Sequence, residues 1–132
     1  MRLWHQNLIS KLPRQQLLGQ HRECAALRGR GWGRNHSVVN YVFTHEPARL
    51  VAYHFLVMDE MLRRGYNPDK TWYNRDYRGK DLGEQEDWCN QILLDSYLSK
   101  SEGGINIYPE HNADYLQECI DNLKGKGIEI KC

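Results

Sequence analysis

The hydrophobic positions of the chain are most regular between Pro47 and Arg64. Apolar residues there recur every three or four positions, which predicts an α-helix with one buried face. A histidine within an apolar face is usually buried and hydrogen-bonded, so we interpret His54 as a core residue rather than a ligand. The full set of positions on this face is Leu50, Tyr53, His54, Val57, Met58 and Met61.

Another helix is predicted from about Arg14 to Arg28, because Pro13 suits a helix start and Gly29 suits a helix end. Arg22 and Glu23 lie on its polar side next to small residues, where a bulky partner can approach the backbone. A solvated surface, or tight helix packing at the glycine of that side, explains the same pattern. The apolar side carries Leu17, Leu18, His21, Cys24 and Ala25, and the polar side carries Gln15, Gly19, Arg22, Glu23 and Ala26.

The remaining pattern predicts two more helices, from about Glu84 to Ser99 and from about Glu110 to Lys124. Met1–Leu12 has apolar residues without a clean period, so we interpret it as an arm packed onto the helices. Ser37–Thr44 is interpreted as a short strand or an extended passage, and Ile128–Ile130 as a brief strand. The predicted fold is therefore mainly α, with three to four helices, an N-terminal arm packed across them and little or no sheet.

The chain has 132 residues, so we expect a single domain spanning residues 1–132. The net charge is +1, which gives no overall signal for nucleic acid. Its distribution is less even, because Glu23 is the only acidic residue among the first 34 positions. The basic residues of that region, which permit a phosphate-binding face, are Arg2, Lys11, Arg14, Arg22, Arg28, Arg30 and Arg34.

The cysteines give no indication of a disulfide framework or of a metal site. We interpret them as reduced thiols of a cytoplasmic protein. His21 and Cys24 have helical spacing for two metal ligands, but no second pair completes a set, so no metal is expected. No segment is long enough to span a membrane, and the N-terminus does not have the pattern of a signal peptide. The four cysteines are Cys24, Cys89, Cys119 and Cys132.

Two segments between helices interleave aromatic and basic residues. Gly29–Asn35 reads Gly-Arg-Gly-Trp-Gly-Arg-Asn, which suits a loop that meets phosphates and stacks on a base. In the alternative interpretation Trp32 fills a gap in the core, and the sequence favours neither. Asp69–Gly83 is also interpreted as a loop, and as a possible second contact surface for nucleic acid.

Several stretches resemble one known family. Met1–Glu23 is similar, without gaps, to the start of the pyrimidine-dimer DNA glycosylases of the phage endonuclease V type. Leu50–Asn67 is similar to the second helix of that family and to the Arg-Gly-aromatic-Asn sequence that follows it. Gly33–His36 resembles its Gly-x-Gly-His segment, and Tyr108–His111 resembles the lead into its last helix. The chain is more similar to the small cellular branch of the family than to the phage enzyme.

The resemblance implies a repair enzyme for double-stranded damaged DNA that excises a pyrimidine dimer and then acts as a lyase. In this family the α-amine of the chain attacks the sugar and forms an imine. The implied catalytic residues are Met1, Glu23 and Arg22, with Arg22 holding a phosphate, and no cofactor is needed. We expect a monomer. The implied DNA-binding residues are Arg2, Gln15, Arg22, Arg28, Arg30, Trp32, Arg34 and His36.

Three positions depart from the phage-type pattern. Phage-type enzymes expose the amine of a small second residue after methionine removal, whereas Arg2 favours retention of Met1. A retained Met1 would place the amine about 3.3–3.6 Å beyond that position in an extended chain. Ala26 replaces an arginine of the phage enzyme, and Ile128–Cys132 replaces an aromatic-rich tail, on which lesion specificity depends.

The residues leave three alternatives open. In the first, a glycosylase uses Glu23 to activate water and forms no imine. In the second, the chain is a non-catalytic or differently specific DNA- or RNA-binding module on the same scaffold, whose binding survives Glu23→Gln. In the third, the chain is a protein-interaction domain with no role in nucleic-acid binding.

Overall fold

The computed structural model describes residues 2–35 and 37–130. The α-helices in these ranges, numbered α1 to α4, are Arg14–Arg28, Pro47–Arg63, Gln91–Glu102 and Ala113–Gly125. Short 3-10 helices occupy Gln6–Lys11, Asn40–Thr44 and Lys70–Tyr73. Within the described ranges no β-strand forms, and Tyr77 and Glu84 make an isolated bridge. The prediction of a mainly helical fold is confirmed.

Helix α2 lies at the centre of the core and packs against both α1 and α3. Its predicted bounds are confirmed to within one residue, and those of α1 are confirmed as predicted. A helix that is buried around most of its circumference gives its neighbours a fixed surface on which to pack. The buried residues of α2 are Ala48, Leu50, Val51, Ala52, Tyr53, His54, Val57, Met58, Glu60 and Met61.

The N-terminal arm packs on this core through apolar side chains, as predicted. It also contains the 3-10 helix Gln6–Lys11, which the apolar pattern did not indicate. The side chain of His5 starts that helix by accepting a hydrogen bond from the backbone nitrogen of Asn7 (3.0 Å). Arg64 closes it by donating to the carbonyl oxygen of Leu12 (2.7 Å). The buried apolar residues of the arm are Leu3, Trp4, Leu8, Ile9 and Leu12.

Helix α3 begins at Gln91, so the prediction of a start at Glu84 was wrong. The preceding residues form a loop because the buried carboxylate of Asp76 accepts a hydrogen bond from the backbone nitrogen of Cys89 (3.1 Å). The side chain of Asn90 then caps the helix. A distant carboxylate thus overrides the local helical pattern.

Neither the short strand or extended passage predicted for Ser37–Thr44 nor the brief strand predicted for Ile128–Ile130 forms. Asn40–Thr44 is a 3-10 helix, and Ser37–Val39 is a turn that precedes it. The backbone nitrogen of Ile128 donates to the carbonyl oxygen of Leu123 (3.0 Å), so this residue closes the end of α4 instead of pairing with another segment. Among the described residues, no helix is long and apolar enough to cross a membrane.

Candidate active site

Glu23 lies in the middle of α1 with its carboxylate turned toward the start of the arm. The backbone nitrogen of Arg2 donates to Glu23 Oε2 across 3.4 Å. The side chain of Gln20, one turn earlier on α1, donates from Nε2 to the same oxygen (3.0 Å) and to the carbonyl oxygen of Arg2 (2.9 Å). Helix α1 therefore holds a carboxylate directly against the first described peptide unit of the chain.

Side chains from three helices fix the backbone of the arm at this point. The backbone nitrogen of Trp4 donates to Gln20 Oε1 (2.7 Å). The hydroxyl of Tyr53 on α2 reaches both the carbonyl oxygen of Trp4 (2.6 Å) and Gln20 Oε1 (2.8 Å). The hydroxyl of Tyr115 on α4 donates to the carbonyl oxygen of Leu3. The position of the arm relative to Glu23 is thus set by hydrogen bonds as well as by apolar packing.

A cavity of about 260 Å³ opens beside Glu23. One of its walls is α4, whose Asn122 lines the cavity together with Lys126, the residue directly after the helix. The guanidinium of Arg2 is tied to Glu118 on the same helix (2.7 Å). None of the site residues predicted from the sequence lies on α4, because only long-range packing brings that helix to the arm. The lining residues are Arg2, Trp4, Glu23, Val38, Asn122 and Lys126.

Burial raises the pKa of the Glu23 carboxyl above its ordinary value of 4.5, because desolvation disfavours the charged form. The backbone N–H of Arg2, the charge of Arg22 and the side chain of Gln20 oppose this shift by stabilising the carboxylate. Glu23 is therefore a carboxyl that changes protonation nearer neutral pH than an exposed glutamate does. Such a group suits proton transfer in a cleft.

Arg22 is exposed beside Glu23, on a side of α1 where Gln15 and Ala26 are exposed as well. A Cβ atom added at Gly19 would meet one atom of the described residues within 4 Å, Nη2 of Arg22 at 3.7 Å. Gly19 therefore does not serve tight helix packing. The polar side of α1 is open along several turns and offers a surface to a large partner.

The predicted DNA contact at Arg28 is wrong, because this side chain is fully buried. Its guanidinium donates to the carbonyl oxygens of Trp72 (2.7 Å), Asn74 (2.8 Å) and Tyr77 (3.0 Å). Burial lowers the pKa of Arg28 to about 10. Arg28 is a structural residue that holds the segment from Trp72 to Tyr77 against the core.

The interpretation of His54 as a hydrogen-bonded core histidine is confirmed. Its Nδ1 lies 3.1 Å from the guanidinium of Arg28, which can only donate, so its Nε2 carries the proton and donates to Nδ1 of His21 (2.7 Å). Cys24 is completely buried. In the part of the chain that the structure describes, no group of three or more metal-ligating side chains comes together.

A second cavity, of about 380 Å³, lies beyond the C-terminal end of α1. Arg30 and Lys80 line it together with Trp72, so part of the Asp69–Gly83 segment faces this region. Arg30 is exposed and paired with Asp81 (3.1 Å). Arg34 is also exposed, and its Nε donates to the carbonyl oxygen of Arg30 (2.9 Å). The loop after α1 therefore carries two exposed arginines, and Asp81 offsets the charge of one of them.

The ring of Trp32 packs edge-on against Phe43 (5.0 Å between centroids) and Trp88 (5.5 Å). This environment favours the interpretation that Trp32 fills a gap at the edge of the core. Two predicted site residues, Met1 and His36, lie outside the described residues.

One comparison with known proteins identifies a family. A family model described as pyrimidine dimer DNA glycosylase matches residues 1–74, which include the arm, α1 and α2. No curated protein and no solved structure matches the chain. Helices α3 and α4, including the wall of the Glu23 cavity, lie beyond the matched residues.

Proposed function

The chain belongs to the pyrimidine dimer DNA glycosylase family, whose model matches residues 1–74 of its 132 residues, and we propose that it excises pyrimidine dimers from double-stranded DNA with an associated lyase step. Glu23 is the catalytic carboxylate, the α-amine of the N-terminal residue is the nucleophile, and Arg22 holds the phosphate beside the lesion. The observation that carries this proposal is the contact of 3.4 Å between Glu23 and the backbone nitrogen of Arg2.

The proposal requires an amine within reach of the carboxylate. One residue separates the amine of Met1 from the Arg2 nitrogen, and standard bond lengths limit that separation to about 4 Å. Either Met1 or, after methionine removal, Arg2 can therefore supply an amine close to Glu23. An α-amine has a pKa of about 7.7–8.0, against about 10.4 for lysine, so roughly a tenth or more of it is neutral near pH 7, a far larger share than for a lysine amine.

In the first step the neutral amine attacks C1′ of the damaged nucleotide. The C1′–N bond breaks, and the base leaves with the electron pair. The nitrogen then loses a proton, the C1′–O4′ bond breaks, and O4′ takes up a proton, which leaves an imine between the chain and the sugar. Glu23 stabilises the positive charge that develops on the sugar and transfers these protons.

In the second step the imine acidifies the hydrogen at C2′. Glu23 removes this proton, a C2′–C3′ double bond forms, and the 3′ phosphate leaves with the electrons of the C3′–O bond. Hydrolysis of the imine then releases the cut strand and regenerates the amine. Arg22 offers a planar, two-pronged donor to the phosphate next to the lesion.

Exposed arginines on α1 and in the loop after it support binding to a duplex. Arg22, Arg30 and Arg34 are exposed along α1 and the loop after it, and phosphate contacts of this type make affinity depend strongly on salt. Gln15 lies on the same open side of α1 and adds a neutral hydrogen-bonding group.

The test is the Glu23→Gln variant, compared with Glu102→Gln, which changes an exposed glutamate at the end of α3. We expect Glu23→Gln to bind dimer-containing duplex but to lose base release and strand cleavage, while Glu102→Gln keeps both. Base release by Glu23→Gln at the wild-type rate would contradict the role of Glu23. Absence of base release by the wild-type protein from DNA with any damaged pyrimidine would favour the non-catalytic binding module.

A further inference from the structure

We propose that Gln20 is a positioning residue, which sets the distance between the Glu23 carboxylate and the amine that attacks the sugar. This inference rests on the function proposed above. Gln20 is not part of the Arg22–Glu23 pair, and its side chain is almost completely buried, with 1% of its surface exposed. It does not touch the cavity beside Glu23, so any effect on the reaction passes through the groups that it holds.

The carboxamide of Gln20 uses its full hydrogen-bonding capacity. Oε1 accepts from the backbone nitrogen of Trp4 (2.7 Å), and it shares the single hydrogen of the Tyr53 hydroxyl (2.8 Å) with the carbonyl oxygen of Trp4 (2.6 Å). Nε2 donates to the carbonyl oxygen of Arg2 (2.9 Å) and to Glu23 Oε2 (3.0 Å). A carboxamide offers two acceptor sites and two donor hydrogens, and all four have partners here.

The partners fix the orientation of this amide. The backbone nitrogen of Trp4 can only donate, and the carbonyl oxygen of Arg2 can only accept. A rotated amide would place its NH₂ against the N–H of Trp4 and its oxygen against the carbonyl of Arg2. The donor side of Gln20 must therefore face Arg2 and Glu23.

Two of these four bonds join the arm to the catalytic helix. Gln20 holds the arm at Arg2 and Trp4, two positions that face the same way in extended backbone. It also holds Glu23 one turn further along α1. One side chain thus determines both the register of the arm and the direction of the carboxylate, and an error of about 1 Å in such a pair can reduce a rate about 100-fold.

The test is Gln20→Met, which keeps the approximate volume and removes all four hydrogen bonds. The first measurement is the pKa of the Glu23 carboxyl by ¹³C NMR. Loss of the Nε2 donor removes stabilisation of the charged form, so we expect this pKa to rise. The second measurement is single-turnover base release against pH, where we expect a rate about 10- to 100-fold lower and an acidic limb moved to higher pH.

The matched control is Gln91→Met, because Gln91 is an exposed glutamine that donates to Asp95 (2.7 Å) on the surface of α3. We expect it to leave both measurements unchanged. Tyr53→Phe is the second variant, since it keeps the ring and removes only the hydroxyl, which reaches Gln20 Oε1 and the carbonyl oxygen of Trp4. It should shift both measurements in the same direction by a smaller amount. It provides the test if Gln20→Met does not fold.

An unchanged Glu23 pKa and an unchanged rate in folded Gln20→Met, or in Tyr53→Phe where Gln20→Met does not fold, would overturn the inference. Destabilisation with the wild-type pH profile would also overturn it, because it would indicate a purely structural role. The NMR titration does not depend on activity. If the wild-type protein releases no base, the proposed function fails, while the titration still decides whether Gln20 controls the carboxylate.

Discussion

The guanidinium of Arg2 lies 2.7 Å from the carboxylate of Glu118, so an ion pair ties the start of the arm to α4. The side chain of Arg2 is 17% exposed and that of Glu118 is 61% exposed. A pair this open to water stabilises a fold by less than about 1 kcal/mol. The more important effect of Glu118 is to offset the positive charge of Arg2, which lines the cavity beside Glu23 where we propose that DNA binds.

Glu118→Gln should therefore bind duplex DNA more tightly than the wild-type protein, since it removes a charge that repels phosphate. Its thermal midpoint should fall by a few degrees at most, as expected for a loss of less than about 1 kcal/mol. Fluorescence anisotropy at several salt concentrations and thermal unfolding measure the two effects. Weaker binding by this variant would show that the ion pair is needed to shape the cavity beside Glu23.

Lys126, the residue directly after α4, lines the cavity beside Glu23 and is exposed. We predict that Lys126→Gln lowers duplex affinity and reduces the slope of log affinity against log salt by about 1, the change expected for one lost phosphate contact. The comparison is Lys100→Gln, an exposed lysine at the end of α3. Equal salt slopes for the two variants would exclude Lys126 from the DNA-binding surface.

Arg28 and Arg30 form a matched pair of nearby arginines with opposite environments. Arg28→Met leaves three carbonyl oxygens without their donor, so we expect it to destabilise the fold by about 3 kcal/mol or more. Arg30→Met should leave stability within about 0.5 kcal/mol and weaken DNA binding. Chemical denaturation and binding assays on both variants test this, and a stable Arg28→Met that binds DNA poorly would reverse our assignment.

The arm should loosen at acidic pH. Burial lowers the pKa of His111 from 6.5 to about 3, and its Nδ1 accepts a hydrogen bond from the backbone nitrogen of Gln6 (3.1 Å). The unfolded chain takes up this proton near pH 6.5, so the stabilisation is complete above that pH and is lost progressively between about pH 6.5 and about pH 3. At pH 5 the loss from this group is about 2 kcal/mol.

Urea denaturation of the wild-type protein and of His111→Gln between pH 4 and pH 8 measures this effect. We expect the free energy of unfolding of the variant to depend less steeply on pH, because the variant lacks the titrating group. Parallel curves would contradict the assignment. The burial of His5 and His54 lowers their pKa values as well, so some dependence on pH should persist in the variant.

The pH dependence of stability that Glu23 contributes has the opposite sign to that of His111. The pKa of Glu23 is raised by burial, so its contribution to stability is present below the ordinary pKa of 4.5 and is lost as pH rises through the raised value. Relative to the wild-type protein, Glu23→Gln should therefore become more stable as pH rises from 4 to 7. Parallel unfolding curves for the two proteins over this range would show that the carboxyl is not perturbed.

The sequence was sufficient to predict α1 and α2, because their boundaries depend on local signals at Pro13, Gly29 and Pro47. It was not sufficient for α3, whose start depends on Asp76, a residue of a different segment. Arg22 and Glu23 were identified because they fall in an ungapped stretch similar to a known family. The geometry that surrounds them depends on contacts between distant positions.

Gln20 and Arg28 illustrate why the rest of the site could not be predicted. Nothing in the helical pattern distinguishes Gln20 from the other polar residues of α1. Its role depends on its contacts with Arg2 and Trp4, which are distant in the sequence. Arg28 resembled an exposed cation in a basic segment, yet backbone carbonyl oxygens of residues 72–77 surround it. A local pattern indicates which face of a helix a residue occupies, but it does not indicate which distant backbone segments contact that residue.

Whether the α-amine is the nucleophile is tested by borohydride trapping on a duplex that contains a pyrimidine dimer, followed by mass spectrometry of the trapped chain. Intact-mass measurement of the native protein first determines which residue carries the free α-amine. We expect a covalent adduct on that amine, and none with Glu23→Gln. Base release without an adduct, or an adduct on a lysine side chain, would contradict this expectation.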